Sequence, residues 1–279
     1  MAMKNILKIM LMMITIFTIA GSAVYAAEIP VSDQDQLITS NDWTEISNLQ
    51  DEMKKEEPDA TIDYDKALKV YVDCNLIKLQ TADTKKLTSA LESANYVWVI
   101  PFKMEKTYGM FTVAKGLPLR EEAKSVLTKA EQEEVKNHAG KWMITEIAEH
   151  TVEPYYDILL EKREALSDCT RVVLVGSQPG MRQPVALGMD DETARIWISL
   201  GYQYPVMKKI PETQNVESGV YSFDSVAEIS DTYIEDSEVS TGAGVQSRSS
   251  MKYVAGIGIV LIGSILILSV LKKKKIKSE

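Results

Sequence analysis

Arg171-Val172-Val173-Leu174-Val175 is a five-residue run whose last four side chains are all branched and apolar. A stretch so short and so uniformly apolar reads as a strand buried on both faces, at the centre of a sheet. Downstream, Gly176-Ser177-Gln178-Pro179-Gly180 carries the Pro-Gly chemistry of a turn. It lacks both the G-x-x-x-x-G-K-S/T phosphate loop and the G-x-S-x-G nucleophile turn. The expected sequel is a hairpin into strands over Pro184–Met189 and Ala194–Leu200, joined by Asp190-Asp191-Glu192.

Upstream, Glu153–Leu166 spaces Tyr156, Leu159, Leu160 and Arg163 near one face of a helix, and Trp142–Ala148 reads as a strand before it. Thr128 and Glu131 form a capping box that starts a helix, Gly140 ends it, and Pro118 suits the first position of another. Tyr96–Phe102 and Thr107–Ala114 are strands around the short connection Met104-Glu105-Lys106, which predicts a hairpin. Leu87, Ala90, Leu91 and Ala94 mark a helix, and Leu68, Val70, Val72, Cys74 and Leu76 alternate as a strand does. The order is β-α-β-β-α, then β-α-β-β-β. It predicts an α+β domain over residues 61–211, with a mixed or mostly antiparallel sheet, flanking helices and a β-α-β-β pseudo-repeat that no residue-level repetition accompanies.

Residues 27–60 read as a polar lead followed by an amphipathic helix. Asp42 and Glu45 are spaced as a capping box, Trp43, Ile46, Leu49 and Met53 form the apolar stripe, and Pro58 follows. Residues 212–252 read as an acidic stalk rich in Ser, Thr and Gly, with an edge strand at Val220–Phe223 as the one candidate element.

The two ends carry targeting signals. Lys4 and Lys8, the uncharged core Ile9–Ala20, and Val24-Tyr25-Ala26 make up a secretory signal over residues 1–26, with cleavage expected after Ala26. Tyr253–Leu271 contains no charge and is long enough, at about 1.5 Å per residue, to cross a hydrocarbon core of about 30 Å as a transmembrane helix. Lys272 to Lys275 and Lys277 follow in the tail, residues 272–279, and positive residues stay on the cytoplasmic side. The expectation is a single-pass cell-membrane protein with its N-terminal domain extracytoplasmic and its C-terminus cytoplasmic.

This end resembles the tails of Gram-positive surface proteins: a polar stalk, an apolar span, then a few positive residues. Sortase substrates of that kind carry L-P-x-T-G before the span. Here Thr241-Gly242-Ala243-Gly244 stands there with no Leu-Pro, so the resemblance implies a retained anchor and no wall attachment.

The whole chain has 40 acidic and 31 basic residues. The signal removes two lysines, and the tail removes five lysines and Glu279. The exported part is left with 39 acids against 24 bases, a net of −15. That balance excludes nucleic acid, which needs clustered positive charge. Cys74 and Cys169 are the two cysteines. In an oxidising compartment they can bridge, or they can remain as buried free thiols. His138 and His150 fit no zinc signature and no ligand set joins them, so neither metal nor cofactor is expected.

No catalytic motif is present. The candidate contact residues are Gln178, Met181 and Arg182 on the loop after the central strand, and Tyr202 and Tyr204 beyond the last strand. The reading that follows is a non-enzymatic binding or protein-interaction module with a protein partner at the membrane or envelope. Two alternatives stand beside it: an envelope hydrolase using carboxylates that sequence does not locate, and a small-molecule sensor subunit signalling through a membrane partner.

Overall fold

A computed structural model describes residues 29–230, apart from 151–152, 177, 179–180, 182, 203, 205 and 212–214. The expected signal, the Tyr253–Leu271 span and the lysine tail lie outside the described residues. Among the described residues, no helix is long and apolar enough to cross a membrane.

The fold is α+β. Its strands are β1 (Thr61–Ile62), β2 (Leu68–Val72), β3 (Asn95–Lys103), β4 (Tyr108–Lys115), β5 (Trp142–His150), β6 (Arg171–Val175), β7 (Val185–Met189), β8 (Ala194–Ser199), β9 (Asn215–Glu217) and β10 (Val220–Ser222). They form one mixed sheet in the order β5-β4-β3-β2-β6-β7-β8-β10-β9, with β1 also paired to β3. Every adjacent pair is antiparallel except β2 with β6, which run parallel in the register Val70↔Leu174 and Tyr71↔Val175. The sheet is therefore two antiparallel halves, the first a meander and the second with β10 between β8 and β9, joined along a parallel seam of two residue pairs.

The expected pseudo-repeat is corrected by this order. It placed β5 at the head of a second half, but β5 closes the first meander, in register with β4 from Tyr108↔His150 to Lys115↔Trp142. The reason is apolar complementarity: Phe111 and Val113 on β4 face Ile147 and Ile144 on β5. The helix Tyr155–Glu161 then carries the chain from the sheet edge to the central strand β6, and the residues expected to prolong it to Leu166 are turns.

Side chains alternate between the two faces. On one face Tyr71, Val173, Val175, Leu187 and Trp197 pack under the helix Thr84–Glu92 through Leu87 and Leu91, and against Phe223 and Val226. Further along that face Trp98, Ile100, Phe102, Phe111 and Val113 are covered by Leu37, Ile46 and Met53 of the N-terminal region. Tyr96 touches both clusters. On the opposite face Val70, Val99, Val172, Leu174 and Ile198 pack against Tyr155, Ile158, Leu159 and Leu166.

Several boundaries differ from expectation. Strand β2 ends at Val72 because Asp73 turns to φ 54°, so Cys74 and Leu76 leave the sheet, although Leu76 is still buried. Residues 29–37 are more than a polar lead: Ile29, Val31, Asp35 and Leu37 are buried. The folded region also runs past Pro211. β10 pairs with β8, and residues 223–230 are helical, with Phe223 stacked on Trp197 at 5.7 Å. Pro118 does not open a helix; the short one begins at Glu121. The Thr128–Glu131 capping box forms as its spacing predicts, and Gly140 follows at φ 76°.

Candidate functional site

The parallel seam is short, and each of its ends is closed by a buried polar side chain. At one end β2 and β6 splay into a fork, and residues 29–37 enter it. Val31 bridges Val172 on β6, whose N–H donates to Pro30 O at 2.7 Å. Gln36 bridges Leu68 on β2, and Leu37 N–H donates to Ala67 O at 3.2 Å. Ile29, Val31 and Leu37 each bury an apolar side chain, worth about 1.5–3 kcal/mol apiece.

Asp35 lies between these two contacts and is 1 % exposed. Its Oδ1 accepts from Tyr71 Oη at 2.7 Å; its Oδ2 accepts from Arg171 at 2.9 Å and from Ser32 Oγ at 2.6 Å. Lys69 Nζ stands 3.8 Å from Asp35 Oδ1 and lies over the rings of Tyr96, Trp98 and Tyr71 at 4.6, 5.2 and 5.8 Å. Burial lowers the Lys69 pKa, and the attraction of Asp35 and Asp42 offsets only part of that. Burial raises the Tyr71 phenol, with Asp35 adding to the effect. Asp42 completes the group, but not as the expected cap: its carboxylate makes no cap hydrogen bond and instead accepts from Tyr96 Oη at 2.9 Å and Trp98 Nε1 at 3.0 Å. Two aromatic donors held by the sheet outcompete the helix N–H groups for the same oxygen.

At the other end, Gln178 ties together the loops leaving β2 and β6. Its Nε2 donates to Cys74 O at 2.6 Å and Gly176 O at 3.1 Å, while its Oε1 accepts from Leu76 N at 3.0 Å. At 3 % exposure, Gln178 is a clasp between loops and offers nothing to solvent.

The other sequence candidates gather around this end of the sheet but face inward. Met181 is buried in the core and Tyr204 is 3 % exposed, its hydroxyl donating to Pro184 O. Tyr202 is half-buried, 6.4 Å from the Tyr204 ring. Arg182 lies outside the described residues. Cys74 and Cys169 are free thiols. Cys74 packs against the cluster that contains Tyr71, whereas Cys169 belongs to the cluster on the opposite face. Burial pushes the two thiols up to about 12 and about 11, far from a reactive thiolate.

An open surface feature lies elsewhere among the described residues. A depression of about 390 Å³ is lined by Ile38, Trp43, Thr61, Ile62, Asp63, Tyr64, Asp65 and Lys103. Trp43 meets Tyr64 edge-to-face at 5.2 Å, and Ile38 is 38 % exposed beside them. Asp63 is engaged by Lys66 at 3.7 Å, and Lys66 also binds Asp157 at 2.8 Å. Asp65 is exposed on the rim. Periodicity places Trp43 in the apolar stripe of a helix and gives no role to Asp63 or Asp65; the acid–aromatic–acid order at residues 63–65 is the one local sign of them.

Among the described residues no group of three or more His, Cys, Asp or Glu side chains could hold a metal ion. Compared with known proteins, the chain matches no family model, no curated relative and no solved structure.

Proposed function

We propose that the chain is a membrane-anchored, extracytoplasmic binding module without enzymatic activity, which meets a protein partner of the membrane or envelope. The N-terminal signal features and the Tyr253–Leu271 span with its lysines support the location. The observation that carries the binding reading is the depression. It combines an exposed apolar side chain, Ile38, and an aromatic pair, Trp43 and Tyr64, with the exposed carboxylate of Asp65 at its rim. Apolar and aromatic surface beside fixed charge is the composition of a contact patch. The partner that fits presents a basic side chain next to an apolar one, in keeping with an exported part of net charge −15.

The test is cross-linking and capture with the full-length protein in its membranes. Asp65→Lys is expected to lower capture of a defined partner at least tenfold, and Lys103→Glu to leave it undiminished. Equal capture by wild type and Asp65→Lys overturns the reading. For the location, deleting residues 253–271 is expected to release the protein from the membrane fraction; retention by the deleted form overturns it.

A further inference from the structure

The depression borders a strand edge that the fold leaves open. β1 pairs with β3 in the register Thr61↔Lys103 and Ile62↔Phe102. The next residue, Asp63, donates its N–H to Pro101 O at 2.9 Å. Antiparallel pairs alternate between those that exchange hydrogen bonds and those that do not. The backbone groups of Thr61 and Asp63 are therefore turned towards β3, and the N–H and C=O of Ile62 point away from it. Among the described residues no group outside the sheet bonds to either.

Thr61 and Ile62 both line the depression. Successive side chains of a strand point to opposite faces, so the depression runs along the edge of β1 and not over one face. Thr61 is exposed and Ile62 half-buried, which leaves that edge within reach. Beside β2, on the same side of β3, the chain fills the corresponding edge itself: Gln36 bridges Leu68, and Leu37 N–H donates to Ala67 O. Residues Leu37–Thr39 then turn as a 3-10 helix, so this backbone pairing stops short of β1.

We propose, taking this depression as the contact patch, that the partner docks as an extended peptide segment carrying lysine or arginine, which adds as a strand to the outer edge of β1. Its backbone takes the Ile62 N–H and C=O. Its apolar side chains meet Ile38, Trp43 and Tyr64, and its cation meets the exposed Asp65 carboxylate. Charge favours this occupant over the chain's own following segment: residues 231–250, outside the described residues, carry four acids against Arg248.

The experiment uses the full-length protein in detergent micelles and a short fluorescent peptide of alternating valine and lysine, with anisotropy as the readout. The same peptide N-methylated at every backbone amide keeps its charges but has no backbone donor. Ile62→Pro removes an N–H that β3 does not use and puts the ring on the open edge. The expected result is saturable binding of the plain peptide, at least tenfold weaker after N-methylation or in Ile62→Pro, and undiminished in Ile62→Val. The urea midpoint of Ile62→Pro is expected to stay close to wild type. Equal binding of the plain and methylated peptides overturns strand addition without recourse to any variant. So does a folded Ile62→Pro that binds as wild type does, or a wild type that binds neither peptide. If partner capture still depends on Asp65 in those cases, the contact patch stands and the strand addition alone falls. Binding that Ile62→Pro abolishes and Asp65→Lys leaves unchanged overturns the basic partner instead.

Discussion

Asp35 and Arg171 are 136 positions apart in sequence, yet their side chains meet at 2.9 Å, inside the sheet's central fork. The Asp35 side chain is 2 % exposed and that of Arg171 18 %. A carboxylate so deeply placed between two cations cannot be removed without leaving them uncompensated. Asp35→Ala is therefore expected to destabilise the domain by about 3–5 kcal/mol. Lys69→Met keeps much of the contact with the aromatic rings and is expected to cost far less. Urea unfolding of both variants decides the matter: similar losses would mean that Asp35 does not anchor the segment.

Gln178 makes a second, independent prediction at the far end of the seam. Gln178→Ala leaves Leu76 N–H, Cys74 O and Gly176 O without their partner, which is expected to cost about 2 kcal/mol or more. The neighbouring exposed Gln183→Ala is expected to lie within about 0.5 kcal/mol of wild type. Were Gln178 a contact residue instead, its loss would change partner capture and leave the unfolding midpoint in place.

The buried phenols and thiols predict alkaline lability. Cys74 is raised from 9.0 to about 12 and Cys169 to about 11. Burial also raises Tyr71, Tyr96, Tyr155 and Tyr204. Each contributes stability that is fully present below its unfolded value and is lost as pH rises towards the folded one. Lys69 acts in the opposite sense, since its pKa is lowered, but it is one group against the several raised ones. The urea midpoint is expected to hold between pH 7 and 8.5 and to fall steadily above pH 9–10. A flat profile to pH 10.5 would contradict the burial of these groups.

Gly116 closes the two-helix excursion between β4 and β5. Its N–H donates to Lys141 O at 2.9 Å and its carbonyl accepts from Gly140 N at 2.8 Å. A Cβ there would sit 2.1 Å from the His138 carbonyl oxygen, a backbone atom. Gly116→Ala is expected to cost about 1–3 kcal/mol and to raise hydrogen exchange over residues 117–138 first. Uniform loss of protection across the whole sheet would show instead that the excursion is integral to the core.

Much of the local structure was legible. The expected strand over residues 171–175 has those bounds in the structure, and the Tyr96–Ala114 hairpin and the Thr128–Glu131 cap sit where their patterns place them. The polar turn at Asp190 forms as well, its carboxylate accepting from Glu192 and Thr193 N–H groups, which hold its pKa down. The open depression was not legible, because it joins Ile38 and Trp43 to Lys103 through folding of separate segments.

The physical difference lies in range. Periodicity, capping and turn chemistry act between residues a few positions apart, so the sequence by itself determined most of the strands, the helix start at Thr128 and the α+β class. Which strand lies beside which depends on the competition among many apolar faces of similar quality. Only the tertiary structure decided that β5 joins β4, that β2 and β6 run parallel, and that Ile29, Val31 and Leu37 carry Asp35 into the gap between them. An aspartate in a polar stretch carries no local sign of burial. Its place follows from Arg171, Lys69 and Tyr71, which the fold alone brings together.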